Sequence, residues 1–264
     1  MRVGCCSYSY RNYLGNYRDP TQPKPGTMSL DDFLEKSWEM GLDGVELTAY
    51  YFPSVETDYL NHLKRLACRL GLHISAAAVG NSFCLATAQE RAGQVQLVEQ
   101  WIDHTLQLGA PCLRVFAGAV PQGSSEAEAM QWVVECLQEC GDYAAARGVL
   151  LALENHGGIT ARAEQVLQII HRVDREWVRV NLDTGNYRTA AYADIEATVP
   201  HAVTAHVKTH VHTEGGGREE LDYAEIVSVL AAVDYRGYLA IEYEEEEDPM
   251  VAVPRFAAEL KKLV

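Results

Sequence analysis

The chain has 264 residues, 48% of them hydrophobic, and a formal charge of −15. That length suits one large α/β domain or two small ones. The charge argues against a binder of nucleic-acid backbone or of an anionic membrane, because both need a surplus of Lys and Arg. A small, weakly charged substrate is easier to accommodate. Seven cysteines are scattered without a pair of CxxC motifs, so buried reduced thiols are expected rather than a zinc knuckle, which points to the cytoplasm. The opening "MRVGCCSYSY" has no apolar leader core, and no stretch reaches ~18 apolar residues. A soluble, non-secreted protein is expected, and a homo-oligomer is compatible with the sequence.

In chain order, short β-branched or apolar runs at 3–7, 44–47, 73–79, 112–116, 150–153, 178–182, 203–207 and 239–241 predict strands. Helical periodicity fills the intervals at 30–40, 59–70, 88–108, 126–147, 162–173, 195–198, 223–233 and 250–263. Several helices end in a turn containing Gly41, Gly71, Gly109 or Gly148, where a left-handed cap favours glycine. Strands alternating with helices imply a parallel sheet. Eight such units over 1–264 fit a (β/α)8 TIM barrel in a single domain. A doubly wound sheet would carry a Gly-rich turn after its first strand, and "CSYSYRNYLG" has no GxGxxG.

In a barrel, functional groups gather at the C-terminal ends of strands. The last four ends read "LLALENHGG", "VRVNLDTGN", "VTAHVKTHV" and "YLAIEYEEEE", and deliver Glu154, Asp183, His206 and Glu242. A carboxylate closing an apolar strand is desolvated and needs a partner of opposite charge. Three acids cannot neutralise one another, but a divalent cation can neutralise them. Three carboxylates and one imidazole suit manganese, magnesium or cobalt better than zinc. An ion holding a carbonyl and its neighbouring hydroxyl acidifies the C–H between them and stabilises the enediolate that follows. Two opposed carboxylates can then shuttle the proton, which is isomerisation or epimerisation of a carbohydrate.

"LALENH", "VNLDTGN", "HVK" and "AIEYE", in this order, resemble the xylose isomerase-like TIM barrel superfamily of sugar phosphate isomerases and epimerases. Its relatives include D-tagatose 3-epimerase, hydroxypyruvate isomerase, inosose dehydratase and endonuclease IV. The likeness covers essentially the whole chain, and "GVELTAYYFP" and "LRVFAG" are similar to the second and fourth strand ends of other members. It implies that Glu154, Asp183, His206 and Glu242 bind the metal and that Glu154 and Glu242 are the acid–base pair. Two positions depart from the pattern. Asn186 stands where the epimerases commonly have His, and "KTHVHTEGGGR" does not match their Arg-containing segment.

Further residues around the expected mouth are His156, two places after Glu154, and Lys208, His210 and His212, which continue the spacing of His206. His156, Lys208, Asn186 and His210 are candidates for substrate contact. Tyr8, Tyr10 and Phe116 could wall a sugar ring. Glu46 and Arg114 read either as a buried ion pair or as substrate contacts. The 214–218 run "EGGGR" reads as a plain surface loop before a phosphate site, and Glu244 to Asp248 as a solvated loop. A lyase or dehydratase using the same metal and base is the alternative to an isomerase. An endonuclease IV-like repair enzyme would need a basic groove, which the −15 charge opposes, and a non-catalytic carbohydrate-binding barrel would need none of the acids.

Overall fold

A computed structural model describes residues 1–213 and 215–264. Its strands are β1 (Arg2–Cys6), β2 (Gly44–Thr48), β3 (His73–Ala78), β4 (Cys112–Val115), β5 (Leu150–Glu154), β6 (Val178–Asp183), β7 (Ala202–Val207), β8 (His210–His212), β9 (Arg218–Glu220) and β10 (Tyr238–Ile241). Between them lie α1 (Leu30–Glu39), α2 (Thr57–Leu70), α3 (Ala88–Leu108), α4 (Glu126–Ala145), α5 (Ala163–Val173), α6 (Ala191–Thr198), α7 (Tyr223–Ala232) and α8 (Pro249–Leu260). Eight strands close into a parallel barrel in the order β1-β10-β7-β6-β5-β4-β3-β2, as the alternation of strands and helices requires. The β8–β9 hairpin, antiparallel with His210 opposite Glu220, lies outside the barrel and was not expected from the sequence. Glu214 lies outside the described residues, so of the 214–218 run only 215–218 is placed.

The alternation of each strand sorts side chains between two environments. Leu47, Val115, Leu153, Leu182, Val207 and Ile241 are fully buried, in one core with helix residues such as Leu34, Leu63, Ile102, Val133 and Val166. The intervening positions carry Cys6, Glu46, Arg114, Glu154, Asn181, Asp183 and His206, also buried. Burying that many polar groups is sustainable only if they meet one another, and they do.

Local signals fix the helix ends. Ser29 with Asp32, Thr87 with Glu90, and Ser125 with Glu128 form capping boxes at the starts of α1, α3 and α4, each worth about 1 kcal/mol. Gly71 and Gly109 cap α2 and α3 at φ of 71° and 78°, a conformation that costs other residues more. The seven cysteines are free, and all but Cys68 are buried. Burial pushes the Cys112 thiol up to about 12, so it packs as a small apolar group. No helix among the described residues is long and apolar enough to cross a membrane.

Candidate metal centre

Glu154 and Asp183 are the last residues of β5 and β6, His206 is the penultimate residue of β7, and Glu242 directly follows β10. Asp183 and His206 are register partners across β6 and β7, so their side chains stand side by side. His206 Nδ1 lies 3.5 Å from Glu242 Oε2, 3.7 Å from Glu154 Oε2 and 3.9 Å from Asp183 Oδ2. One ligand atom from each of the four residues lies within 4.8 Å of all the others. Metal–ligand bonds of about 2.0–2.2 Å put two ligand atoms at most roughly 4.4 Å apart, and the His206 distances fall inside that span.

The imidazole is oriented from behind. His206 Nε2 donates to both oxygens of Glu46, at 3.0 and 2.9 Å. That contact holds a proton on Nε2 and directs Nδ1 at the three carboxylates. Glu46 is 1% exposed and both its oxygens meet His206, so of its two expected readings the structure shows a buried pairing, with His206 as the partner. The sequence showed Glu46 ending a strand, but not that the barrel brings it to a residue 160 positions away.

Glu154 is held on three sides. Asn186 Nδ2 donates to Oε1 at 3.1 Å, Asn181 Nδ2 donates to Oε2 at 3.3 Å, and Arg114 Nε lies 3.1 Å from Oε2. Asn186, the departure from the epimerase pattern, therefore still reaches the glutamate. Arg114 was expected to be either a packing ion pair or a substrate contact, and it is an ion pair with a candidate ligand. Asn181 was not anticipated. Its register partnership with Glu154 was the available signal, and it needs the strand pairing to be known.

Lys208 Nζ lies 3.0 Å from Glu242 Oε2 and 3.4 Å from Asp183 Oδ2, and it also pairs with Glu244. Burial opposes the ammonium charge, but Asp183, Glu242 and Glu244 outweigh it and hold Lys208 well above its ordinary value. Burial likewise works against the Glu242 carboxylate, yet Lys208 and His206 keep it well below the usual range. Asp183 goes the other way: burial first, then Glu242 and Glu154, push it well above that range despite Lys208.

Asp183 Oδ2 and His206 Nδ1 are both buried without a hydrogen-bond partner. Buried polar atoms without a hydrogen bond are costly. Two of them directed into one cage of three carboxylates, which the single ammonium of Lys208 does not balance, fit a divalent cation, and the oxygen-rich donor set suits a hard ion.

The remaining expected residues surround this cage at different depths. Phe116 is half-buried, with the Arg114 guanidinium 3.9 Å from its ring centre and the exposed His156 ring at 4.3 Å. Tyr8 is half-buried beneath Arg11, whereas Tyr10 is fully buried in the core against Phe33. His210 Nδ1 is 3.1 Å from Glu245 Oε1, which also accepts from Thr209 and from Arg218 at 2.6 Å. The acidic run is thus not a plain solvated loop: Glu244 holds Lys208, Glu245 anchors the β8–β9 hairpin, Glu247 pairs with Arg255, and Asp248 caps α8. Basic partners distant in sequence could not be assigned beforehand. His212 meets Arg188 at 2.7 Å and lies outside the cage.

A family model described as xylose isomerase-like TIM barrel matches residues 34–260. The 2-oxo-tetronate isomerase of Pectobacterium atrosepticum is 23% identical over 159 residues, which are 55% of this chain and 59% of that protein. The aligned part thus spans less than two thirds of that relative's length. Three solved structures share the fold at low identity. A 3-keto-D-glucoside 4-epimerase from E. coli superposes with a TM-score of 0.78 at 17% identity, covering 99% of each chain. A xylose isomerase-like TIM barrel protein from Mycobacterium smegmatis in complex with magnesium gives 0.75 at 15%, covering 100% of this chain and 98% of that one. IOLI protein with a bound zinc atom gives 0.77 at 18%, covering 100% and 96%.

Proposed function

The chain belongs to the xylose isomerase-like TIM barrel family, and from that premise we propose that it is a divalent-metal-dependent sugar or sugar phosphate isomerase or epimerase. The observation that carries this reading is the buried cage of Glu154, Asp183, His206 and Glu242, with Asp183 Oδ2 and His206 Nδ1 aimed into it without hydrogen bonds. A divalent ion bound there would polarise a carbonyl and an adjacent hydroxyl, making the C–H between them acidic. The neighbours with magnesium and with zinc support a metal without choosing one. The three-carboxylate donor set favours manganese, magnesium or cobalt over zinc.

Glu154 and Glu242 flank His206 from strands three places apart around the barrel. In this reading one takes the proton from the substrate carbon and the other returns a proton, so that the two orders of transfer serve the forward and reverse reactions. Lys208 keeps Glu242 ionised and ready to accept. Asn186, Asn181 and Arg114 fix the direction of the Glu154 carboxylate. Glu46 holds the imidazole so that its free nitrogen stays directed at the cage. The charge of −15 and the acidic cage support a small carbohydrate over a nucleic acid.

Elemental analysis of the purified protein, followed by a panel of ketoses and oxidised sugars in D₂O, tests the reading. A bound divalent ion with deuterium entering next to a carbonyl is expected. Bound metal without exchange across the panel overturns it, and loss of water from the substrate by mass spectrometry replaces it with the lyase alternative.

A further inference from the structure

A cavity of 710 Å³ opens between residues 17–25 and the segments that follow β2 and β3, separate from the metal cage. Ala49 and Tyr50 come directly after β2, and Val79 and Gly80 directly after β3, so it lies on the same face of the barrel as the cage. Its volume falls in the range of about 300–1,000 Å³ that holds a drug-sized ligand. A smaller cavity of 260 Å³ lies beside Lys208 and Asn186.

A single guanidinium links the wall of the larger cavity to the cage. Arg114 Nη1 donates to the Val79 carbonyl at 3.0 Å while its Nε sits 3.1 Å from Glu154.

The walls are aromatic and stiff. Phe52 and Trp101 meet edge to face at 5.3 Å, and Arg18 covers Tyr50 at 3.4 Å from the ring centre. Four prolines line the space, and each fixes its own backbone φ. Its polar side chains are Arg18, Ser54 and the hydroxyls of Tyr17 and Tyr50, and no carboxylate, amide or imidazole lines it among the described residues. Against walls made mostly of ring faces and prolines, a planar apolar group gains contact area that a polyol does not.

We propose that this cavity is an aglycone subsite, taking a planar apolar group attached to the sugar whose reacting end reaches the metal cage. The substrate class is then a glycoside with an aryl or similarly apolar aglycone, and this assignment rests on the carbohydrate reading of the cage. Calorimetric titration of the purified protein with 2-naphthyl β-D-glucopyranoside, 2-naphthol and methyl β-D-glucopyranoside tests it. The naphthyl compounds are expected to bind at least about tenfold more tightly than the methyl glucoside. Tyr50→Ala and Val55→Arg are expected to remove that advantage. Val55 is 39% exposed, so its replacement leaves the core intact, and a thermal melt of each variant verifies folding. Equal affinity for naphthyl and methyl compounds, no naphthyl binding at millimolar concentration, or naphthyl binding that Val55→Arg leaves unchanged overturns the proposal. The D₂O panel keeps the two readings apart. Naphthyl binding without exchange retains the apolar subsite and removes the catalytic reading, and exchange without naphthyl preference does the reverse.

Discussion

The two sides of the barrel mouth are built on opposite principles. On the β5, β6, β7 and β10 side, the cage residues sit at or within one residue of the strand ends, where backbone pairing on both flanks fixes them. On the β2 and β3 side, the cavity residues come from the segments beyond the strands. The first side is charged, buried and held by paired contacts, and the second is aromatic and partly open to solvent. A metal cage tolerates only small errors in position, so it belongs on rigid strands, whereas the cavity is walled by the segments that connect them.

Substitutions can break that contrast. The largest effect is expected at the acid–base pair: Glu242→Gln or Glu154→Gln should lower kcat on a responsive ketose by about 10²–10⁴-fold, read by initial rates with metal saturating. Asp183→Ala removes a ligand and should leave the purified protein without bound metal by elemental analysis. Glu46→Gln weakens the hold on His206, and about 10–100-fold weaker metal affinity is expected, with activity recovering as metal is added.

Removing metal with a chelator should lower Tm. An ion at a hundred times its Kd contributes about 2.7 kcal/mol, and each kcal/mol moves Tm by about 2–4 °C in a chain of this size. An unchanged Tm would mean that the cage is not a metal site. The smallest effect concerns Glu245. Burial opposes its charge, but Arg218 and Thr209 hold it below the ordinary carboxylate range. Its anchoring of the β8–β9 hairpin is therefore complete above the unfolded-state pKa and lost as pH falls through the depressed one. Amide hydrogen exchange of residues 210–212 and 218–220 should accelerate only in that acid window.

Much of the barrel was legible because its signals are local. The predicted helix at 88–108 coincides with α3, and strand bounds shift by no more than one residue. The short helix at 195–198 extends back to Ala191, a difference at an end where no capping side chain announces the start. The β8–β9 hairpin was not legible, since His210–His212 and Arg218–Glu220 lack an apolar run and are secured by Glu245, a residue distant in sequence. The four cage residues could be named from strand ends, whereas Glu46, Asn181 and the pairing of Arg114 with Glu154 could not be assigned.

The sequence by itself determined the alternation that closes a barrel and the three carboxylates and one imidazole its later strands carry to one rim. Periodicity, caps and strand ends act over a few residues, so they can be read in a line. Only the tertiary structure decided which groups share the buried space: Glu46 behind His206, Arg114 and Asn181 on Glu154, and Lys208 between Asp183 and Glu242. Those pairings arise when the sheet closes and brings distant positions together in a medium of low polarity, where each charge must find its partner or remain unmet.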